Sequence, residues 1–202
     1  VSGVATFAGL SLDKVGSYTL TPTTTVAGVT TLPASGSFTV SLGTAAKLAF
    51  TSQPTNVVAG ATMSPAVTVQ VQDAGGNPIP TATNNVTLAI GANPGGGTLS
   101  GTVTAAAVNG VATFSTLSLD KAGTGYTLTA ALVPGTPLAT SSAFNVTVGV
   151  ATRLAFAAEP TNVGGGATIS PAVTVQVQDA GGNLVPLATN SVTLAIGTNA
   201  GG

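Results

Sequence analysis

The sequence predicts an all-β protein built from antiparallel sandwich units of about 106 residues each. Three observations predict it: a long internal repeat, short apolar–polar alternations bounded by turn residues, and the lack of any sustained apolar period of 3.6 residues. The repeat is the strongest of the three. Residues 48–96 (LAFTSQPTNVVAGATMSPAVTVQVQDAGGN…) recur as residues 154–202, an offset of 106, with about three quarters of positions identical. Residues 3–16 (GVATFAGLSLDKVG) recur as 110–123 (GVATFSTLSLDKAG), an offset of 107.

A period of this length is too long for ankyrin or leucine-rich units and matches one immunoglobulin-like sandwich of about 100 residues. Within a period the alternation predicts about seven strands: 47–52, 66–72, 85–91, 98–104, 111–117, 125–131 and 143–148. Val67, Val69 and Val71 share one face, and Thr68, Gln70 and Gln72 share the other. One face is therefore dry and one wet, as an antiparallel sandwich requires. Val67, Val69, Val71, Leu88, Ile90, Phe114 and Leu128 are expected to point inward. The turns carry matching chemistry, with DAGGN at 73–77 and Asn109-Gly110 both suited to positive φ.

The repeat sets the domain boundaries. Residues 45–150 form one complete immunoglobulin-like repeat, 1–44 match the C-terminal half of a repeat, and 151–202 match the N-terminal half. The junctions, Leu42-Gly43-Thr44-Ala45 and Val148-Gly149-Val150-Ala151, contain no Pro/Ser-rich spacer. Neighbouring units are expected to sit nearly end to end, which is a stalk geometry. Because Val1 is not an initiator Met, a fragment or mature segment is expected. The two terminal halves together lack only the equivalent of residues 97–107. Residues 151–202 are therefore expected to be completed by strands equivalent to 1–44 from another copy, giving a head-to-tail filament. One continuous polypeptide and separate complementing subunits both fit, and denaturing electrophoresis distinguishes them.

Composition excludes several classes. Only 4% of residues are charged, with 4 Lys+Arg, 5 Asp+Glu and no His, against about 25% in ordinary soluble domains. Disordered chains combine low hydrophobicity with high net charge, whereas this chain is 44% hydrophobic with a net charge of −1. A membrane-spanning helix needs about 20 consecutive apolar residues, and Thr or Gln interrupts every apolar run here, so no membrane span is expected. No basic-then-apolar leader opens the sequence. Four scattered cations cannot form a phosphate-binding patch, so nucleic acid is not an expected partner.

The same composition removes most catalytic chemistry. Without His or Cys there is no Ser-His-Asp, Cys-His or His-based metal site. The five acids are Asp13, Asp73, Asp120, Glu159 and Asp179; Asp13 and Asp120 occupy one repeat position, and Asp73 and Asp179 another. Within one unit only Asp73 and Asp120 could pair, and nothing in the sequence brings them together. No catalytic, cofactor-binding or metal site, and no cofactor, is expected, and the chain is not read as an enzyme. Asp73 with Asn77 is a weak calcium donor set; the expected role of the carboxylate is to accept backbone N–H bonds in its own turn. The glycine runs 95–97 and 164–166 lack the Lys and helix of a phosphate loop and are read as loops. Asp13-Lys14 and Asp120-Lys121 are read as a solvated turn guarding a sheet edge. A cross-linking Lys is the alternative; Lys47 is another candidate, but its counterpart is Arg153. The recurring Phe50, Phe114, Phe144 and Tyr126, with copies Phe156, Phe7, Phe38 and Tyr18, are read as core anchors. The triplets starting at Asn85 and Asn145 fit a glycosylation acceptor but are not repeated between units.

The string VTVQVQDAGGNP (67–78), followed by VTLAI, GGGTLSGT, NGVATFSTLSLDKAG and YTLTA, resembles the bacterial immunoglobulin-like repeats of invasin- and intimin-type adhesins. The resemblance covers the complete unit and both halves. It implies an extracellular or cell-surface protein whose repeats hold a binding head away from the cell. The expected function is a structural stalk, filament or fibre shaft whose partners are other copies of the repeat. The alternative is an adhesin module that itself binds a carbohydrate or cell-surface protein. In the stalk reading such a ligand is engaged through domains outside this segment.

Overall fold

A computed structural model describes residues 3–30, 33–132 and 138–198. Val1 and residues 199–202, where the repeat alignment begins and closes, lie outside the described residues. The chain is all-β, and no helix occurs among the described residues.

Sixteen strands are described. In residues 1–44, β1 (Gly16–Tyr18) pairs antiparallel with β2 (Phe38–Val40). The central region holds β3 (Lys47–Ser52), β4 (Val57–Val58), β5 (Val67–Gln72), β6 (Asn85–Ile90), β7 (Leu99–Ser100) and β8 (Thr104–Ala106). It continues with β9 (Val111–Phe114), β10 (Ser118–Leu119), β11 (Gly123–Tyr126), β12 (Leu128–Leu132), β13 (Leu138–Thr140) and β14 (Phe144–Thr147). After it, β15 (Arg153–Ala158) pairs antiparallel with β16 (Thr174–Gln178). All seven expected strands of the central repeat are present. Two are each broken into two pieces, β7 with β8 and β11 with β12, and β4, β10 and β13 are additional.

The central strands form an immunoglobulin-like sandwich. The main sheets run β3-β5-β9, β13-β12-β6-β8 and β11-β14-β4. Among the described residues all strand pairings are antiparallel except β4 with β14, which is parallel. β5 alternates fully buried Val67, Val69 and Val71 with half-buried Thr68, Gln70 and Gln72, so the expected register is the observed one. Val86 and Leu88 of β6, Phe114 of β9, Leu128 and Ala130 of β12 and Phe144 of β14 meet these valines in one core. Each buried Val or Leu contributes about 1.5–3 kcal/mol relative to exposure. Ile90, expected inward, is partly buried at the edge of this core. The Asn109-Gly110 turn has φ of 51° and 79°, the two positive values that a tight hairpin demands. Its flanks, Val108 and Val111, exchange backbone hydrogen bonds of 2.9 and 3.0 Å.

Every buried hydrophobic residue among those described falls between Leu48 and Val146. The flanking segments carry exposed apolar side chains instead, among them Phe7, Leu10, Leu194 and Ile196.

Candidate functional site

The place where the least-expected polar contacts gather is the junction between the segments, and it is built from two short motifs. One is the DAGGN turn that follows β5. Asp73 accepts a hydrogen bond from the Asn77 backbone N–H (2.9 Å) and two from the Asn77 side-chain amide (2.9 Å each). Gly76, at φ 75°, closes the turn. Both Asp73 and Asn77 are buried. The carboxyl oxygen thus serves its own turn, as expected, and it also reaches out to accept from the linker N–H of Gly43 (3.1 Å).

The second motif is the Leu-Asp-Lys loop of the preceding segment. The Asn77 side chain donates to the Asp13 carbonyl (2.7 Å) and accepts from the Val15 N–H (3.3 Å). The Lys14 ammonium donates to the Gly75 carbonyl (2.9 Å). Gly75 has to be glycine here for a steric reason: a Cβ at that position would overlap the Asp13 carbonyl oxygen. The Asp-Lys pair is therefore not simply a solvated turn. It is a docking loop whose carbonyl and ammonium meet a turn stripped of side chains.

The same contacts recur at the next junction. Asn183 donates to the Asp120 carbonyl (2.8 Å) and accepts from the Ala122 N–H (2.9 Å). Lys121 donates to the Gly181 carbonyl (2.6 Å), and Gly149 donates to Asp179 (2.8 Å). A Cβ on Gly181 would overlap the Asp120 carbonyl. Each docking loop is buttressed from behind by a tyrosine: Tyr18 Oη donates to the Lys14 carbonyl and Tyr126 Oη to the Lys121 carbonyl, both at 2.9 Å. These rings pack on Phe38 and Phe144 at centroid distances of 6.1 and 6.0 Å. Tyr126 and Phe144 are core residues, as expected, whereas Phe7, Phe38 and Phe156 are exposed. The physical reason is that the sheets of these segments are two-stranded, β1-β2 and β15-β16, with no facing sheet among the described residues packed on them as one is on Phe114.

The electrostatics follow from these bonds. Donation from the Asn77 backbone, then from its side chain and from Gly43, holds the Asp73 carboxyl down at about 2. Burial alone would raise the Asp179 carboxyl, but the donors Asn183 and Gly149 outweigh it and keep the group below the usual carboxylate range. Asp73 and Asp120 are not brought together. Asp120 instead lies against the turn of Asp179, and only its backbone carbonyl crosses. Its own carboxylate accepts from Thr98 N–H (2.6 Å) and so organises the 95–97 glycine loop. Among the described residues no three His, Cys, Asp or Glu cluster as metal ligands, and no buried side-chain nitrogen or oxygen lacks a partner.

Asn77 and Asn183 are the residues whose importance the sequence understates, since a turn asparagine reads as a weak calcium donor or as turn chemistry and not as a contact to a distant carbonyl. A usable signal exists: SLDK and DAGGN are unchanged between copies while their neighbours vary (Val15/Ala122, Pro78/Leu184).

Fold and junction define the class, an all-β protein with an immunoglobulin-like sandwich. No protein-family model matches the chain, and no curated protein sequence matches it. Among solved structures it is similar to a Parabacteroides merdae β-glucuronidase (19% identity, TM-score 0.34, 50% of this chain and 12% of that one). It is also similar to a glycosyl hydrolase family 2 member from Bacteroides cellulosilyticus (18%, TM-score 0.38, 55% and 16%). A third is a Bacteroides vulgatus β-glycosidase (17%, TM-score 0.37, 52% and 15%). The matched stretch thus spans less than a fifth of each of those proteins.

Proposed function

We propose that this chain is a shaft segment of an extracellular stalk or fibre in a bacterial secreted or surface protein, composed of tandem immunoglobulin-like units. Its role in this reading is mechanical, not catalytic. One observation carries it: the same set of four contact types, with the same glycine at the point of closest approach, clamps both junctions in the chain. A spacer must hold successive units at a fixed angle. A clamp of backbone carbonyls, a buried Asn and a side-chain-free turn does that without a long linker. The sparse charge and short junctions support the same reading, as does the resemblance to adhesin repeats.

The test is a spin-label distance measurement across the second junction. The chain has no Cys, so Thr113→Cys and Ala157→Cys, both at exposed positions, give a unique pair. Labelled chain is diluted into excess unlabelled chain to isolate intramolecular distances. A single narrow distribution is expected, broadening when Gly181→Val forces the Asp120 carbonyl away. A broad distribution in the parent chain refutes a shaft held at fixed angles.

A further inference from the structure

The docking loop of the second junction, residues 120–122, has two faces. The face toward the next unit gives three groups to the DAGGN turn at 179–183: the Asp120 carbonyl, the Lys121 ammonium and the Ala122 N–H. The opposite face turns three more toward its own unit. The Asp120 carboxylate accepts from Thr98 N–H (2.6 Å), and the Lys121 carbonyl accepts from Tyr126 Oη (2.9 Å). The Ala122 carbonyl lies against the backbone of Gly95. Each of the three residues thus holds the next unit with one group and its own unit with another.

The inward support comes from the loop at 93–98 (NPGGGT), which is built to keep its shape. The Asn93 side chain accepts from Gly97 N–H (2.7 Å) and donates to the Gly97 carbonyl (2.9 Å), closing a ring across the loop. Gly96, at φ 65°, makes the turn inside that ring. Beyond the loop, Leu99 and Ser100 of β7 pair with Leu119 and Ser118 of β10. The glycine loop and the docking loop therefore leave the same end of one short ladder, side by side. Their contact requires glycine. A Cβ on Gly95 would overlap the Ala122 carbonyl and the Tyr126 hydroxyl, whereas one on Gly96 would face open space. The loop residues are exposed except Gly97, so burial in the core does not account for this fit.

We propose that loop 93–98 is a positioning element of the junction: it fixes the outward-facing groups of residues 120–122 before the next unit docks, with Gly95 at the point of contact. The other partner is set in the same way, because Asp179 accepts from the Asn183 backbone and side chain inside the DAGGN turn (2.8–2.9 Å). Two surfaces held in their bound form lose little freedom on meeting, which lowers the ordering cost of docking. The inference rests on the shaft reading for what the clamp is used for. The support given to the docking loop stands on the contacts alone.

The experiment compares two loop variants of the full chain by amide hydrogen exchange. Gly95→Ala pushes a methyl group into the Ala122 carbonyl. Gly96→Asn alters the same loop without reaching the docking loop, and Asn adopts positive φ more readily than other side chains. In Gly95→Ala, protection is expected to fall at Ala122 N–H and at Gly149 N–H, which donates to Asp179 (2.8 Å) from the linker. The fall should be about 2- to 12-fold, the equivalent of one neutral hydrogen bond. The Thr113/Ala157 spin-label distribution should broaden in parallel, while Val69 keeps its protection. Gly96→Asn should match the parent at all three amides. Unchanged protection at Ala122 and Gly149 in Gly95→Ala overturns the proposal. So does an equal loss in Gly96→Asn, or a loss at Val69 that accompanies the one at Gly149, since the loop would then belong to the unit's core. A broad spin-label distribution in the parent, with loss of Ala122 protection confined to Gly95→Ala, would instead reject the shaft and leave the positioning role standing.

Discussion

Replacing Asn183 by Ala removes the central bolt of the second junction while leaving the core untouched. Two of its bonds cross between units, to the Asp120 carbonyl at 2.8 Å and from the Ala122 N–H at 2.9 Å. A neutral hydrogen bond contributes about 0.5–1.5 kcal/mol net, so the pair contributes roughly 1–3 kcal/mol to docking. The junction is only half-buried, and water can take over the freed groups, which favours the lower end of that range. Amide hydrogen exchange reads this directly, since opening of the junction exposes Ala122 N–H locally. Protection at Ala122 is expected to fall about 5- to 160-fold, the equivalent of roughly 1–3 kcal/mol. Protection at Val69, in the central sheet, should not change. Unaltered protection at Ala122 would refute the assignment of Asn183 as the residue that holds the units together. Loss at Val69 as well would mean that the junction and the core are one cooperative body.

Three further outcomes are expected. Val69→Asp forfeits about 1.5–3 kcal/mol of burial and adds an unpaired carboxylate to the core; loss of the cooperative circular-dichroism transition checks it, and a folded variant would contradict the β5 register. Acid should loosen the first junction. The Asp73 carboxyl titrates at about 2 in the fold, below its ordinary 3.8, so its stabilising contribution is complete above about pH 4 and is lost as pH falls through 2. Exchange protection at Gly43 between pH 5 and 2 measures this, and Asp73→Asn should remove the pH dependence. Finally, unfolding temperatures in calcium and in chelator should coincide; a chelator-induced drop of several degrees would mean that Asp73 and Asp179 hold a cation.

How much of this was legible beforehand depends on the range of the interaction. β5 was readable to the residue, because VTVQVQ states its own two faces and DAGGN and Asn-Gly state their own turns. The breaks were not. β11 and β12 separate at Thr127, whose hydroxyl accepts from Ala92 N–H, a partner the local pattern cannot name. The short β4 is similarly invisible, since its strand partner, β14, lies some 90 residues away. The junction was the hardest to see. Its bonds join a side-chain amide to a backbone carbonyl 64 residues distant, and a carbonyl acceptor leaves no mark on residue identity. Only the glycine that the carbonyl approaches does, and Gly75 reads first as turn chemistry.

The single parallel pairing among the described strands bears on how such a unit would carry load. Val57 and Val58 lie beside Val146 and Thr147 near the two ends of the unit. The link is extended by Ala59 N–H to the Thr147 carbonyl (2.8 Å), Asn145 N–H to Asn56 (2.7 Å) and Ser142 N–H to Gln53 (2.9 Å). In a parallel pair, pulling one strand toward its N-terminus and the other toward its C-terminus slides them along a common axis. The bonds between them run across that axis and are strained together, so they yield as a group and not one after another. In the proposed shaft, tension along the chain would meet this latch in the complete unit. The unit would lengthen abruptly once that latch failed, in steps set by the length of chain released.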